Sequence, residues 1–379
     1  MDQALAQRIE AVNQRAVAEG RIVGSVVLVA HQGKVIYAGA SGYADREQQR
    51  PMKRSNQFRL SSVSKPYITL AAMRMVEQRH LSLEDAVSRW LPWFTPALTD
   101  GRCPEITVRH LLTHTAGLDY RFKQPENGPY HRLGICDGME LSTLTLEQNL
   151  RLLADAPLQA EPGSVFNYSL SIDVLGAVLE QVAGVALPTL FDQWVGKPLG
   201  LRNTGFVAKD AQTLATAYYD ADPEPARMQD GFLLTLPEGF GFDLELAPSR
   251  ALASSAYPSA GAGMVGDADD VLRLVEALRN GGDGVLQPAT TELMRQAHVG
   301  ADAEIQGPGW GFGFGGAVLV DATVASTPQS NGTMQWGGVY GHNWFYDPLA
   351  ELSLVALTNT AIEGMCGPYS IQIRDAVYG

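Results

Sequence analysis

Strand-like runs stand near both ends of this chain, and a long stretch of helical spacing separates them. IVGSVVLVA and KVIYAGA come early and meet at Gln32-Gly33, a hairpin signal. GWGFGFGGAVLV, GTMQWGGVY, NWFYDP and ELSLVALTNT come late. Strands and helices do not alternate regularly, so the pattern predicts an α+β fold rather than a doubly wound one. One antiparallel sheet is expected from the two chain ends, with flanking helices and an inserted, mostly helical domain. The boundaries that follow are 1–80 with 250–379 for the sheet-and-helix domain, and 81–249 for the helical one.

Helical spacing runs from Asp2 to Glu19, stopping at Gly20, and again from Ser62 to about Gln78. LSLEDAVSRWL, TVRHLLTH, TLEQNLRLLADA, SLSIDVLGAVLEQVA and LPTLFDQWV continue it between Leu81 and Gly200. From Gly205 to Pro258 prolines and short apolar runs give no clean period. DADDVLRLVEALRNGG is a helix with acids at its start and glycines after its end. A short helix at about Tyr369 to Val377 closes the chain.

Bulk properties exclude several function classes. A length of 379 residues allows one or two domains. The net charge of −13, without a lysine or arginine cluster, makes nucleic acid and anionic membrane poor partners. No run approaches the ~18 apolar residues of a membrane span. The N-terminus lacks a signal peptide's apolar core, so a cytoplasmic protein is expected unless a leader has been removed. Cys103, Cys136 and Cys366 are odd in number and contain no C-x-x-C, which argues against a disulfide framework or a zinc site.

The chemistry is concentrated in FRLSSVSKPYITLAAMRMVEQ, where Lys65 follows Ser62 by three residues at a helix start. Residues at i and i+3 share a helix face. A serine hydroxyl is a weak nucleophile until a neighbouring base takes its proton. Lysine serves as that base when burial or nearby positive charge lowers its pKa from ~10.4. A helix N-terminus adds backbone N–H groups aimed at a reacting carbonyl oxygen. Twenty serines and six lysines make a chance S-x-x-K unsurprising, so the pair needs company. Pro66 also biases Lys65 away from helical geometry, a tension that a first-turn proline tolerates.

Two further elements supply that company. FNYSLSIDVLGAVLEQVAG puts Tyr168 at the entrance to a helix, where a nearby ammonium favours loss of its proton. MQWGGVYGHNWFYDP places Gly337 and Gly338 in a strand, either leaving room for a ligand beside the backbone or marking a β-bulge.

Together S-V-S-K at Ser62, Y-S-L at Tyr168 and W-G-G at Trp336 resemble the serine β-lactamase and penicillin-binding-protein superfamily. The likeness is strongest to its family VIII carboxylesterases, which resemble class C β-lactamases. VRHLLTHTAGL, PLGLRNTGF and SAGAGMVGDADDVLRL agree as well. The resemblance implies a β-lactamase/transpeptidase-like fold, with Ser62 as the acylated nucleophile and Lys65 and Tyr168 sharing proton transfer. It implies an oxyanion hole from the backbone N–H groups of Ser62 and Val339, and Asp173 as support for the tyrosine–lysine pair. No metal and no cofactor are implied, and the expected partner is a small-molecule ester.

Departures narrow the activity. Trp336 and Gly337 stand where the superfamily's β-lactam-active members carry the Lys-Thr of K-T-G. Leu170 stands where class C enzymes commonly have asparagine. Both changes remove polar grips, which favours neutral esters over β-lactams. Acyl transfer through the same acyl-enzyme is the first alternative, β-lactam or amide hydrolysis the second, and a non-enzymatic binding protein the last.

Other signals are weaker. Gly261-x-Gly263-x-x-Gly266 lacks the upstream strand a dinucleotide fingerprint needs, and Gly311-x-Gly313-x-x-Gly316 precedes a strand. His110 and His114 have a metal-ligand spacing but no evident third ligand. His342, near W-G-G, is either a substrate contact or a structural histidine. Asp267, Asp269 and Asp270 fit a helix start. Trp310, Phe312, Phe314, Trp344 and Tyr346 are expected mostly in the core.

Overall fold

A computed structural model describes residues 3–379 of the chain. The sheet residues occur, as expected, at both ends: β1 (Gly24–His31), β2 (Lys34–Asp45) and β3 (Arg50–Pro51) early, then β4 (Trp310–Phe312), β5 (Ala317–Leu319), β6 (Met334–Gly338), β7 (His342–Asp347) and β8 (Leu352–Thr358) late. They form one eight-stranded sheet in the order β4-β5-β6-β7-β8-β1-β2-β3, antiparallel at every step. The seam between the chain ends is β1 on β8, in register from Ser25–Thr358 to His31–Leu352. Gln32 and Gly33 both have positive φ, at 52° and 75°, the geometry a two-residue hairpin turn requires.

Seven helices of eight or more residues occur among those described. They are α1 (Gln3–Ala18), α2 (Ser64–Glu77), α3 (Leu146–Ala154), α4 (Ser171–Ala183), α5 (Ala268–Arg279), α6 (Pro288–Arg295) and α7 (Pro368–Tyr378). The Asp2 start expected for the first of them lies outside the described residues.

By its contacts the chain divides into two units. The first comprises Met1–Val63, Leu199–Met228 and Met264–Gly379; the second comprises Ser64–Pro198 and Gln229–Gly263. These limits differ from those read from the sequence. α2 packs on α4 and the turn Leu187–Phe191, so it belongs with the helices although it follows the N-terminal strands directly. Residues 199–228 rejoin the sheet unit: Tyr218 N–H donates to Asn359 O, and Ala361 N–H donates to Tyr218 O.

In the sheet unit α1 and α7 share one core with Val27 and Val29 of β1 and with Phe345 and Leu354. Alternation sends Val26 and Leu28 to the opposite face, and these are also fully buried. α5 packs on β1, β7 and β8. Burial on both faces explains why VVLVA is an unbroken apolar run instead of an alternating one. Trp310, Phe312, Phe314, Trp344 and Tyr346 are all buried, as expected for core.

In the helical unit α4 is the central element, touching α2, α3 and the short turns Val87–Trp90, Val108–Leu112 and Leu187–Phe191. Ser171 to Leu179 are buried without interruption.

Two local expectations fail, and one helix was not read from the sequence. LSLEDAVSRWL is helical only over Val87–Trp90, because its preceding backbone pairs with another segment: Val87 N–H donates to Ile106 O and Val108 N–H to Asp85 O. GWGFGFGGAVLV is not one strand but the hairpin β4–β5, turned at Gly313–Gly316 with Gly315 at φ 103°. α6 carries no cap side chain and went unread. The unperiodic region holds two-stranded ribbons, Tyr218–Tyr219 with Ala226–Arg227 and Phe232–Thr235 with Asp243–Leu246.

The acids at α5 act as expected at a helix start. Asp267 is the N-cap, accepting from Asp270 N–H at 2.9 Å and from Asn203 Nδ2 at 2.6 Å. Asp267→Ala is expected to lower unfolding stability by about 1–2 kcal/mol, read from urea unfolding, with Asp267→Asn losing less. An unchanged midpoint would contradict a stabilising cap.

Candidate active site

The sheet unit contributes the serine. The strand Phe58–Arg59 leads into a 3₁₀ turn, Ser61–Val63, that runs without a break into α2. Leu60 N–H donates to Met264 O at 2.9 Å and Val63 N–H to Leu60 O at 3.0 Å. Ser61 has φ 43°, a left-handed conformation costly for a residue with a Cβ. Ser62 is half-buried between the buried Ser61 and Val63, so it is the residue this tight turn presents.

The turn lies against β6, and the W-G-G glycines explain how. A Cβ on Gly338 would stand 2.5 Å from Leu60 O and 2.6 Å from Ser61 Oγ; one on Gly337 would stand 2.7 Å from His342 O. The pairing is regular through Trp336–Trp344, Gly337–Asn343 and Gly338–His342, so neither glycine marks a bulge. Nor do they clear space for a ligand: the chain's own backbone takes that room. Just beyond, Gly341 N–H donates to Gly338 O at 2.9 Å, and Val339 O accepts from Ile362 N–H at 3.2 Å. Trp336 is half-buried, its ring edge-on to Phe312 at 5.3 Å.

His342 is not a substrate contact. It is wholly buried, its Nε2 donates to Arg59 O at 2.8 Å, and its ring meets Phe58 edge-on. It anchors the strand that carries the serine turn. Burial pushes its pKa down to about 4, so it stays neutral.

The helical unit contributes the lysine and the tyrosine. Lys65, in the first turn of α2, is 2% exposed and donates from Nζ to Gly261 O at 2.8 Å. Its Nζ lies 4.6 Å from the centre of the Tyr168 ring and 5.6 Å from that of Tyr120. The helix accommodates Pro66 because a first-turn N–H has no intrahelical acceptor to lose.

Tyr168 precedes α4 in a segment bound to the loop after Val108–Leu112. Asn167 N–H donates to His114 O at 2.7 Å, Asn167 Nδ2 to Leu118 O at 2.7 Å, and Ser169 N–H to His114 Nδ1 at 3.2 Å. The His114 ring lies 4.6 Å from that of Tyr168. Burial, then the Lys65 and Lys123 charges, hold its pKa well below the usual value, which keeps Nδ1 an acceptor. Of the two histidines at metal-ligand spacing, His114 therefore braces the tyrosine. His110 Nδ1 instead accepts Thr107 N–H in a capping box.

Tyr120 went unmarked in the sequence, where no period or spacing ties it to Lys65. It is buried, and burial, followed by Tyr168 and Asp173, raises its pKa well above the ordinary phenol value. It therefore remains a neutral hydroxyl beside the ammonium.

Asp173 lies in the first turn of α4, buried close to Gly261. Burial raises its pKa, opposed by the Ser259 hydroxyl and then by the Lys65 charge. Leu170 is fully buried at the start of α4, as core. The helical unit thus gathers Lys65, Tyr168, Tyr120, His114 and Asp173, while Ser62, Trp336, Gly337, Gly338 and Val339 stand together in the sheet unit.

This chain belongs to the beta-lactamase family, whose description matches residues 4–374. It is 50% identical over 374 residues to Esterase EstB of Burkholderia gladioli, covering 99% of this chain and 95% of that protein. A solved structure described as EstCE1, a hydrolase with promiscuous acyltransferase activity, is 74% identical with a TM-score of 0.99, covering 100% of this chain and 99% of its own. Unliganded simvastatin synthase (LovD) from Aspergillus terreus shares the fold, with a TM-score of 0.76 at 21% identity over 99% of this chain and 98% of its own. The β-lactamase/transpeptidase-like fold and the likeness to the esterase branch both hold.

A histidine neutral when folded and ordinary when unfolded makes stability fall with acid. The unfolded chain takes up a proton below about pH 6.5, the folded one only near pH 4. Unfolding free energy is therefore expected to drop as the pH is lowered from 7 towards 4, less steeply in His342→Asn. Parallel pH profiles for the two proteins would contradict the buried neutral ring.

Proposed function

We propose that this protein is a serine carboxylesterase that cleaves small to medium esters through an acyl-enzyme on Ser62. The observation that carries the reading is the buried Lys65, on the helix that begins at the serine turn, set against the Tyr168 ring. Sequence identity to Esterase EstB and EstCE1 over nearly the whole chain supports the reaction class.

In the first half-reaction the Ser62 hydroxyl gives up its proton to the Lys65–Tyr168 pair, in which the ammonium favours the phenolate oxygen that takes it, as Oγ bonds to the ester carbonyl carbon. The carbonyl oxygen gathers negative charge and accepts from the N–H groups of Ser62 and Val339. As the tetrahedral intermediate collapses, the C–O bond to the alcohol breaks and the pair returns the proton to the leaving oxygen. Water then repeats the sequence: it loses a proton to the same pair, adds to the acyl carbon, and Ser62 leaves with that proton. Tyr120, held neutral, faces Lys65 with its ring, and Asp173 acts on the same charge from close by.

Ser62→Ala is expected to abolish turnover of p-nitrophenyl acetate while the protein stays folded by circular dichroism. Lys65→Ala and Tyr168→Phe are expected to lower kcat by about two or more orders of magnitude, since proton transfer typically contributes 10²–10⁴-fold. Activity in Ser62→Ala near the native level would sink the assignment. A rise in KM alone for the other two would remove them from the chemical step.

Acyl transfer is the second reading, favoured by the 74% identity to a hydrolase with promiscuous acyltransferase activity. With rising benzyl alcohol, p-nitrophenyl acetate should give benzyl acetate at the expense of acetate. No transfer product at saturating alcohol would count against it.

A further inference from the structure

The ribbon Phe232–Thr235/Asp243–Leu246 ends in a feature that the chemistry above does not use. Its inner face, Leu234, Leu244 and Leu246, is buried. Its outer face is mixed: Leu233 is exposed, Thr235 Oγ1 donates to Asp243 Oδ1, and Glu245 accepts from Arg121. The tip, Pro237-Glu-Gly-Phe-Gly-Phe242, adds two aromatic rings: Phe240 is 49% exposed and Phe242 56%.

The tip is fixed in place. Phe240 N–H donates to Pro237 O at 3.0 Å, Leu236 N–H to Phe242 O at 3.2 Å, and Phe242 N–H to Phe122 O at 2.7 Å. Gly241 has φ 143°, and a Cβ there would stand 2.8 Å from Phe122 O and 2.9 Å from the Phe122 ring, so the turn sits flush on that residue. Phe122 in turn stacks on Tyr120, with ring centres 4.8 Å apart, and Tyr120 faces Lys65. Two half-exposed phenylalanines are thus held, by backbone hydrogen bonds, one aromatic layer away from the Lys65–Tyr168 cluster. Scattered exposed apolar residues need no explanation, but a pair on a hydrogen-bonded tip seated on Phe122, two rings from Lys65, is a placed surface.

Resting on the esterase reading, we propose that Phe240 and Phe242 form a hydrocarbon subsite that binds the apolar chain of the ester and sets chain-length preference. The occupant is the substrate's alkyl or aryl portion, because the tip's backbone rests on Phe122, whose ring stacks on Tyr120 beside Lys65. An aromatic pair binds such a chain by removing its methylenes from water, and the hydrogen-bonded backbone beneath it is already ordered.

The test uses the full chain and the double variant Phe240→Ser/Phe242→Ser, with Phe240→Leu/Phe242→Leu as an apolar control. One arm varies the acyl chain, p-nitrophenyl acetate against decanoate; the other varies the alcohol, ethyl acetate against hexyl acetate. In the serine variant the long-to-short ratio of kcat/KM is expected to fall on the order of tenfold in one arm, about what two buried methylenes supply. The leucine variant should retain most of that ratio. The arm that responds assigns the chain to the acyl or the alcohol side.

Ratios unchanged in both arms, or all four esters falling in parallel, would overturn the subsite. So would a variant whose only change is oligomeric state by size-exclusion chromatography, since the tip would then be an association surface. Failure of the native protein to turn over any of the esters would instead overturn the esterase reading.

Discussion

The proposed chemistry depends on keeping the Lys65 side chain out of water. Lys65 is 2% exposed, and moving a cation from water into a protein interior is expensive unless donors and acceptors are arranged for it. The arrangement is a backbone carbonyl, Gly261 O, at 2.8 Å and two tyrosine rings whose electron-rich faces flank the charge. The carbonyl accepts a hydrogen bond from Nζ, and the rings set their faces toward the charge. Asp173 lies close enough to be felt, yet burial dominates its titration.

The supporting structure follows from that requirement. α4 brings Asp173 under the lysine, and its N-terminal lead brings Tyr168 beside it. That lead is bound at three points to the loop carrying His114 and Tyr120. On the sheet side the precision comes from glycine. Without a Cβ at Gly338, the serine turn and the end of β6 approach each other closely. His342 holds the incoming strand from beneath, and its neutrality lets it remain there.

Much of this was legible in the sequence, and the failures have physical causes. The S-x-x-K pair, Tyr168 and W-G-G were readable because each sits where an element begins or must admit close backbone contact. The two-ended sheet was readable because strand runs have a short period and a bounded length. Tyr120 was not, because its role arises from contacts at long sequence separation that leave no local period. The same reason hid the membership of residues 199–228, whose bonds to Asn359 and Ala361 only the fold creates. The glycines at 337 and 338 were correctly singled out for close approach, but sequence does not say what approaches. The partner proved to be the chain itself.

The central claim is that Ser62 carries the acyl group. Intact-protein mass spectrometry of enzyme quenched in acid during turnover of a slowly deacylating p-nitrophenyl ester tests it most directly, followed by peptide mapping. The account requires one acyl increment per chain, on the peptide containing Ser62, and none after Ser62→Ala. An increment on another residue, or turnover with no adduct at any quench time for esters whose deacylation limits the rate, would contradict it.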